Sequence, residues 1–486
     1  MAVKSPNNGW KLAVMFLAGA LFGSFTVIQV SRNITTTTVA HGSSTDPGAV
    51  ETSPTGASST LLPGALGAAN TASGGQATGS SACAPGRNGD ATAPGVTSTE
   101  IKLATTVVRS GIGAAFLGDV QYAMEAVRNR VNRAGGICGR QISVRYVDDG
   151  WDASRGAQFL RSFIRDNVFA IPVGPSSEGL RVVIDSGDIQ RAGIPVVGTD
   201  GMLIDQYKDS WVWPVAIATA SSARIMAQNA YKRGARTFAI VFDKNYRFGV
   251  EAAAAYNNEV RRLTGSDVLG YNSENNCVKR FCGVLAGQPG YSNEVNEVAS
   301  QDFNFLAMFL EPQTALTWMS TPGAPTADPS VHAQGVGLAQ PLFTRDFAVN
   351  CQAACDQMWV WTGYKPPIED YADDSIVKAY VSDLRKTSST VDVYNAFAEG
   401  GYVGMSLLVK ALESVGPNLT RERLKAALDS IAFASGLTLD SSLSWRPGDH
   451  FAGRTMQAFS IEYKGTFGGW RAQSIVADPT PQRGIG

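Results

Sequence analysis

Between residues 101 and 201 four apolar stretches alternate with two-faced ones, and this rhythm restricts the chain to a parallel, doubly wound α/β sheet. Residues 101–108 are largely apolar or Thr. Val120, Ala123, Met124, Val127 and Val131 then recur at helical spacing until Gly135-Gly136 stops them. Ile142, Val144 and Tyr146 alternate with Ser143 and Arg145, which predicts a second strand ending at Asp148-Asp149, and Ala157, Leu160, Phe163 and Ile164 mark the next helix. Residues 168–173 run into Gly174-Pro175-Ser176-Ser177, 180–192 read as a helix, and 194–197 run into Gly198-Thr199-Asp200-Gly201. Ligands of such sheets sit outside the carboxyl ends of the strands, so the Ser176-Ser177 and Thr199-Asp200 loops are the first candidates for a site.

The pattern restarts after Trp211-Val212-Trp213-Pro214. A helix is predicted over 221–233 and a strand over 238–242. The loop Asp243-Lys244-Asn245-Tyr246-Arg247-Phe248-Gly249 then leads into a helix with Val250, Ala253, Ala254 and Val260 on one face. Further strands are expected at 268–271, 303–310 and, briefly, 341–344, the last ending at Arg345-Asp346. Residues 366–431 read as mainly helical, 441–453 as turns and 456–463 as a weak strand. With 486 residues and 44% hydrophobic content, two cores can be built.

What precedes residue 100 is different. Residues 12–30 form an uncharged, mostly apolar run of 19 that would reach about 28 Å as a helix, close to a bilayer core. Lys4 and Lys11 ahead of it should stay cytoplasmic, which places the remainder outside the membrane. The run is read as an uncleaved anchor, with a cleaved signal segment as the alternative. No aromatic residue occurs from 35 to 99, and Ser, Thr, Gly, Ala and Pro dominate, so this part is expected to be a flexible tether.

Six cysteines, Cys83, Cys138, Cys277, Cys282, Cys351 and Cys355, fit disulfides in an oxidising compartment. Proximity pairs Cys277 with Cys282 and Cys351 with Cys355, which leaves Cys83 with Cys138, though the pairing stays open. Neither close pair has CxxC spacing, and His41, His332 and His450 are scattered, so a metal is not expected. A formal net charge of −1 with 17% charged residues gives no footprint for nucleic acid.

Gly118-Asp119, Ala134-Gly135-Gly136-Ile137, Gly139-Arg140, Tyr146-Val147-Asp148-Asp149 with Asp152, and Ala192-Gly193-Ile194-Pro195-Val196 occur in an order that resembles the leucine/isoleucine/valine-binding proteins. These are type I periplasmic solute-binding proteins of ABC importers. The resemblance runs over about 100–463 and is strongest up to about 260. It implies two Rossmann-like lobes joined by three hinge crossings, near Pro214, Gly363 and Thr455. The expected organisation is then an anchor or signal segment over 1–34, a tether over 35–99 and lobe 1 over 100–214. Lobe 2 would take 215–363, a helical return to lobe 1 would take 364–430, and 431–486 would return to lobe 2 and form the tail.

By position, the resemblance implies that Ser176 and Ser177, with Thr199 and Asp200, hold a ligand from lobe 1, where hydroxyls and helix amino termini favour an anion. From lobe 2 it implies Phe248 with Tyr246 as the aromatic contact and Asp346 as the acid for an ammonium group. Ser177 would equally serve as a helix cap, Thr199 as a turn residue and Asp346 as the cap or ion-pair partner of its own turn. A carboxylate at Asp200 departs from the family pattern, since it would repel an anionic ligand unless turned away. Trp151, beside Asp149 and Asp152, is placed either in the cleft or as a packed surface residue. The resemblance implies no cofactor and no catalysis: a small polar solute such as an amino acid or amide is captured and passed to an ABC permease.

Two other classes of function share features of this chain. A sensor passing its ligand signal to a membrane partner could use the same domain. A hydrolase is disfavoured because neither Ser of Gly174-Pro175-Ser176-Ser177-Glu178-Gly179 lies between glycines at the offset a nucleophile elbow needs. Gly111-Ile112-Gly113 fails the dinucleotide pattern at Phe116, and no GxxxxGK[ST] is present.

Overall fold

The computed structural model describes residues 83, 88–174, 176–269, 271–272, 277–278, 283–328 and 335–478. The apolar run at 12–30, most of the expected tether, Cys282 and His332 lie outside the described residues. Among the described residues no helix is long and apolar enough to cross a membrane.

Lobe 1 follows the sequence rhythm closely. Its strands are β1 (Glu100–Val107), β2 (Gln141–Asp148), β3 (Ile171–Pro172), β4 (Val196–Thr199) and β5 (Val212–Pro214). All contacts among them are parallel: β1 pairs with β2, a bridge from Leu103 to Ala170 joins β1 to β3, and β4 sits between β3 and β5. The order β2-β1-β3-β4-β5 is doubly wound, because the chain runs out to one side of β1 and then to the other. Helices join β1 to β2, β2 to β3 and β3 to β4, and a 3-10 turn at Ile204–Tyr207 lies between β4 and β5. The helices are α1 (Ala114–Leu117), α2 (Val120–Arg133), α3 (Ala153–Arg165), α4 (Ser177–Asp185) and α5 (Asp188–Ala192). The single helix expected over 180–192 is broken in two. Gly187 takes a left-handed φ of 70° and ends α4, a conformation that costs Gly little and other residues more.

The second sheet has six strands. From one edge they are Phe467–Ala477, Thr455–Tyr463, Trp359–Thr362, Val336–Leu338, Phe305–Phe309 and β6 (Phe238–Phe242). The last four run parallel, whereas Thr455–Tyr463 is antiparallel to both of its neighbours. The helices α6 (Thr219–Lys232) and α7 (Arg247–Thr264) flank it. Two expectations fail locally. Residues 341–344 are not a strand: Gln340–Leu342 is a 3-10 turn, and the strand lies just upstream at Val336–Leu338. Pro341 lacks the N–H that a central strand must donate, which is why the ladder stops before it. The expected strand over 268–271 is also displaced, to the short pair Tyr271–Asn272 and Cys277–Val278.

The helix Ala396–Val415 ties the return segment to lobe 1. It is apolar round most of its circumference because it packs on α2 on one side and on β4 on the other. Its Gly404 touches Gly198 backbone to backbone, so the two elements meet without side chains between them.

A separate clamp holds the leading segment. Disulfides join Cys83 to Cys138 and Cys351 to Cys355. Arg140 is fully buried and donates to the carbonyls of Thr97 at 2.7 Å, Pro417 at 3.0 Å and Asp90 at 2.9 Å, and also to that of Asn88. One guanidinium thereby gathers residues 88–97 onto lobe 1, where its five fixed donors meet several backbone acceptors at once.

Candidate functional site

The carboxyl ends of β2, β3 and β4 face the amino end of α7 across the cleft. Trp151, which follows β2, stacks on Tyr246 of the second lobe with ring centroids 4.0 Å apart and planes 15° from parallel. The same indole meets Phe116 edge-on at 5.2 Å and Phe248 at 6.0 Å. Trp151 is buried and stacks on the second lobe, so it is not a packed surface residue. Hydrogen bonds also join the lobes, among them one from the Arg345 N–H to Asp392 Oδ2 at 2.7 Å. The backbone N–H of Arg247 donates to Glu178 Oε1 at 2.6 Å, and the N–H of Ile204 donates to Glu251 Oε2 at 3.0 Å. The lobes are therefore shut on one another.

The backbone is strained on the lobe 1 side of this contact. Val173 at the end of β3 has a φ of 55° and Trp151 a φ of 62°. A β-branched residue in that region is an outlier costing of order 1–3 kcal/mol, and such residues cluster at functional sites.

Ser176 and Ser177 are both buried, and neither makes a side-chain cap to α4. Ser177 instead donates to Met202 Sδ at 3.8 Å. The Ser176 hydroxyl and Asp149 Oδ2 have no partner among the described residues, while Asp149 Oδ1 accepts from the Trp151 N–H at 2.9 Å and burial raises the Asp149 carboxyl. Thr199 is fully buried and its hydroxyl has no partner among the described residues. Asp200 Oδ1 accepts from Gln206 Nε2 at 3.0 Å and from the Met202 N–H at 3.2 Å, while its Oδ2 has no partner among the described residues.

On the other lobe Phe248 is buried, and Tyr246 is half-buried under Trp151. Asp346 stands apart from these. It is exposed in the first turn of Arg345–Cys351 and acts electrostatically on Asp119 and Asp392 at the rim.

Two small cavities of about 10 and 20 Å³ lie within the cleft and share Asp200, Gln340 and Phe397. The first is completed by residues that include Leu117, Val173 and Tyr364, the second by residues that include Met202, Phe248 and Phe309. Each has room for about one water, so a larger ligand enters only when the lobes part. Gln340, Tyr364 and Phe397 were not legible as site residues: they come from a turn, a crossing and a helix that carry no local motif.

Buried carboxyls dominate the electrostatics. Burial pushes Asp200 up to about 7, against the hydrogen bonds from Gln206 and Met202. Burial likewise raises Glu251 to about 7 and Asp119 to about 6. A raised carboxyl is protonated more readily in the folded chain than in the unfolded one. Its stabilising contribution is therefore complete below about pH 4 and is lost as the pH rises through about 7. The Asp200→Asn variant should accordingly show a smaller fall in melting temperature between pH 5 and pH 8 than the parent chain. An unchanged difference would remove Asp200 from this account.

Among the described residues no three His, Cys, Asp or Glu side chains gather as metal ligands. His450 is buried on lobe 1, stacked on Trp213 at 5.4 Å, and does not line the cleft cavities.

A family model described as periplasmic binding protein matches residues 100–466. Solved structures share the fold at low identity. A fatty acid ABC transporter substrate-binding protein from Thermomonospora curvata is 18% identical, with 80% of this chain and 95% of that one covered at a TM-score of 0.64. The branched-chain amino acid transporter substrate-binding protein LivJ from Streptococcus pneumoniae, in complex with isoleucine, is 14% identical over 77% and 99%, with a TM-score of 0.61. An ABC transporter solute-binding protein from R. palustris, in complex with 4-hydroxybenzoate, is 14% identical over 79% and 98%, with a TM-score of 0.66. No curated protein sequence matches the chain.

Proposed function

The chain belongs to the periplasmic binding protein family, and from that premise we propose that it captures a small solute between its lobes outside the cytoplasm and delivers it to an ABC-type importer. The observation that carries this reading is the Trp151 to Tyr246 stack, which joins the lobes beside Phe248, a residue of the cavity that Asp200 also lines. A ligand contacting both sides would favour the shut state over the parted one, and binding would shift an existing equilibrium. The reading is of binding without turnover. Ser176, Ser177, Thr199, Asp200 and Phe248 are proposed as contacts, and Tyr246 as the cover. Asp346 is proposed to act at the rim, on approach of a ligand rather than on its final position.

A thermal-shift screen of the region from about residue 81 onward tests this, with amino acids, amides, amines and small carboxylic acids as ligands. A ligand at a hundred times its dissociation constant stabilises the folded state by about 2.7 kcal/mol, which appears as a clear rise in melting temperature. A full panel without a shift would count against solute capture.

A further inference from the structure

The chemistry of the cleft narrows what it can hold. Asp200 is 9% exposed and lines both cavities. Its Oδ1 is occupied by Gln206 and Met202, whereas Oδ2 has no partner among the described residues. A buried carboxylate oxygen without a donor is costly, and a ligand that donates to it removes that cost.

Most of the remaining lining is apolar. Phe248, Phe309, Phe397 and Tyr364 supply four rings, with Leu117, Val120, Val173, Met202, Ile217 and Pro341 around them. Among the described residues that line the cavities none is Lys, Arg or His. The charged or titratable groups that act on Asp200, or are acted on by it, are Glu178, Tyr207 and Tyr364, and all are acids. A carboxylate ligand brought here would be desolvated beside Asp200 with no lining cation to offset it.

We propose that this cleft takes a protonated amine on an apolar body, with the ammonium donating to Asp200 Oδ2 and the hydrocarbon lying among Phe248, Phe309 and Phe397. The inference rests on the solute-binding reading above and specifies its ligand class. Aromatic faces close to the ammonium would add cation–π attraction, which grows when both groups are desolvated. Because the ammonium requires the ionised carboxylate, and burial holds Asp200 at about 7, binding should strengthen with rising pH. Between pH 6 and pH 8 the ionised fraction rises by about tenfold, and the affinity should follow.

Calorimetric titration of the region from about residue 81 with hexylamine, hexanol and hexanoate separates the possibilities, since the three share a chain and differ in charge. Hexylamine is expected to bind most tightly, about tenfold more so at pH 8 than at pH 6, and Asp200→Asn should weaken it at least tenfold. The pH series on the parent chain keeps the test decisive even if that variant folds poorly. Hexanoate or hexanol binding as tightly as hexylamine would overturn the amine assignment and leave solute capture standing. Silence from all three overturns the amine assignment, and silence from the amino acid and amide panel as well overturns the binding reading with it.

Discussion

Gly404→Val is expected to destabilise the folded chain by about 3 kcal/mol or more. A Cβ built on Gly404 would lie 2.4 Å from the carbonyl oxygen of Gly198, and one built on Gly198 would lie 2.3 Å from the Cα of Gly404. Both obstacles are backbone, so no side chain can swing aside. Gly198 also holds a φ of 82°, which adds conformational strain to any replacement there. Relief would require the helix Ala396–Val415 to lift from β4, and that contact sets the distance between Phe397 on the helix and the Thr199-Asp200 loop. Urea denaturation of the parent and the variant measures the loss directly. A change below about 1 kcal/mol would show that the helix can shift at little cost and that the glycine pair does not fix the site.

The same contact shows what a sequence conceals. The strand and helix rhythm of 101–201 translates into lobe 1 almost element for element, because each strand is short, buried and bounded by a loop, and each helix shows one apolar face. The β3 and β4 loops are candidates from the sequence alone, since a doubly wound sheet places its site at the strand ends, and of them Asp200 lines both cavities. Residues 467–477 were not. That strand carries Gly468 and Gly469, is mostly not buried and lies at the sheet edge, so it has neither the apolar content nor the alternation that marks a strand. Gln340, Tyr364 and Phe397 escaped for another reason: only the folding together of distant segments makes them neighbours of Asp200. Asp346 was read from its place after a short expected strand. The Pro341 turn changes the course of the chain there and leaves its carboxylate exposed.

Trp151→Ala should lower stability by about 3–5 kcal/mol and bias the lobes toward the parted state. Those effects come from different faces of one ring. The edge-on contact with Phe116, 5.2 Å away, lies within lobe 1 and stabilises that lobe whether or not the cleft is shut. The stack on Tyr246, with centroids 4.0 Å apart, exists only when the lobes meet. Tyr246→Ala removes the second contact and leaves the first, so it should cost less stability while opening the cleft to a similar degree. Small-angle scattering would register the opening as a larger radius of gyration in both variants, and chemical denaturation would separate their stabilities. The double variant should open the cleft no further than either single one, since both remove the same contact. If the shut form is the binding form, solute affinity falls in both variants by the factor by which the shut population falls. An unchanged radius of gyration in both would mean that the remaining inter-lobe contacts, among them the hydrogen bonds of Glu178, Glu251 and Asp392, hold the lobes together without the stack.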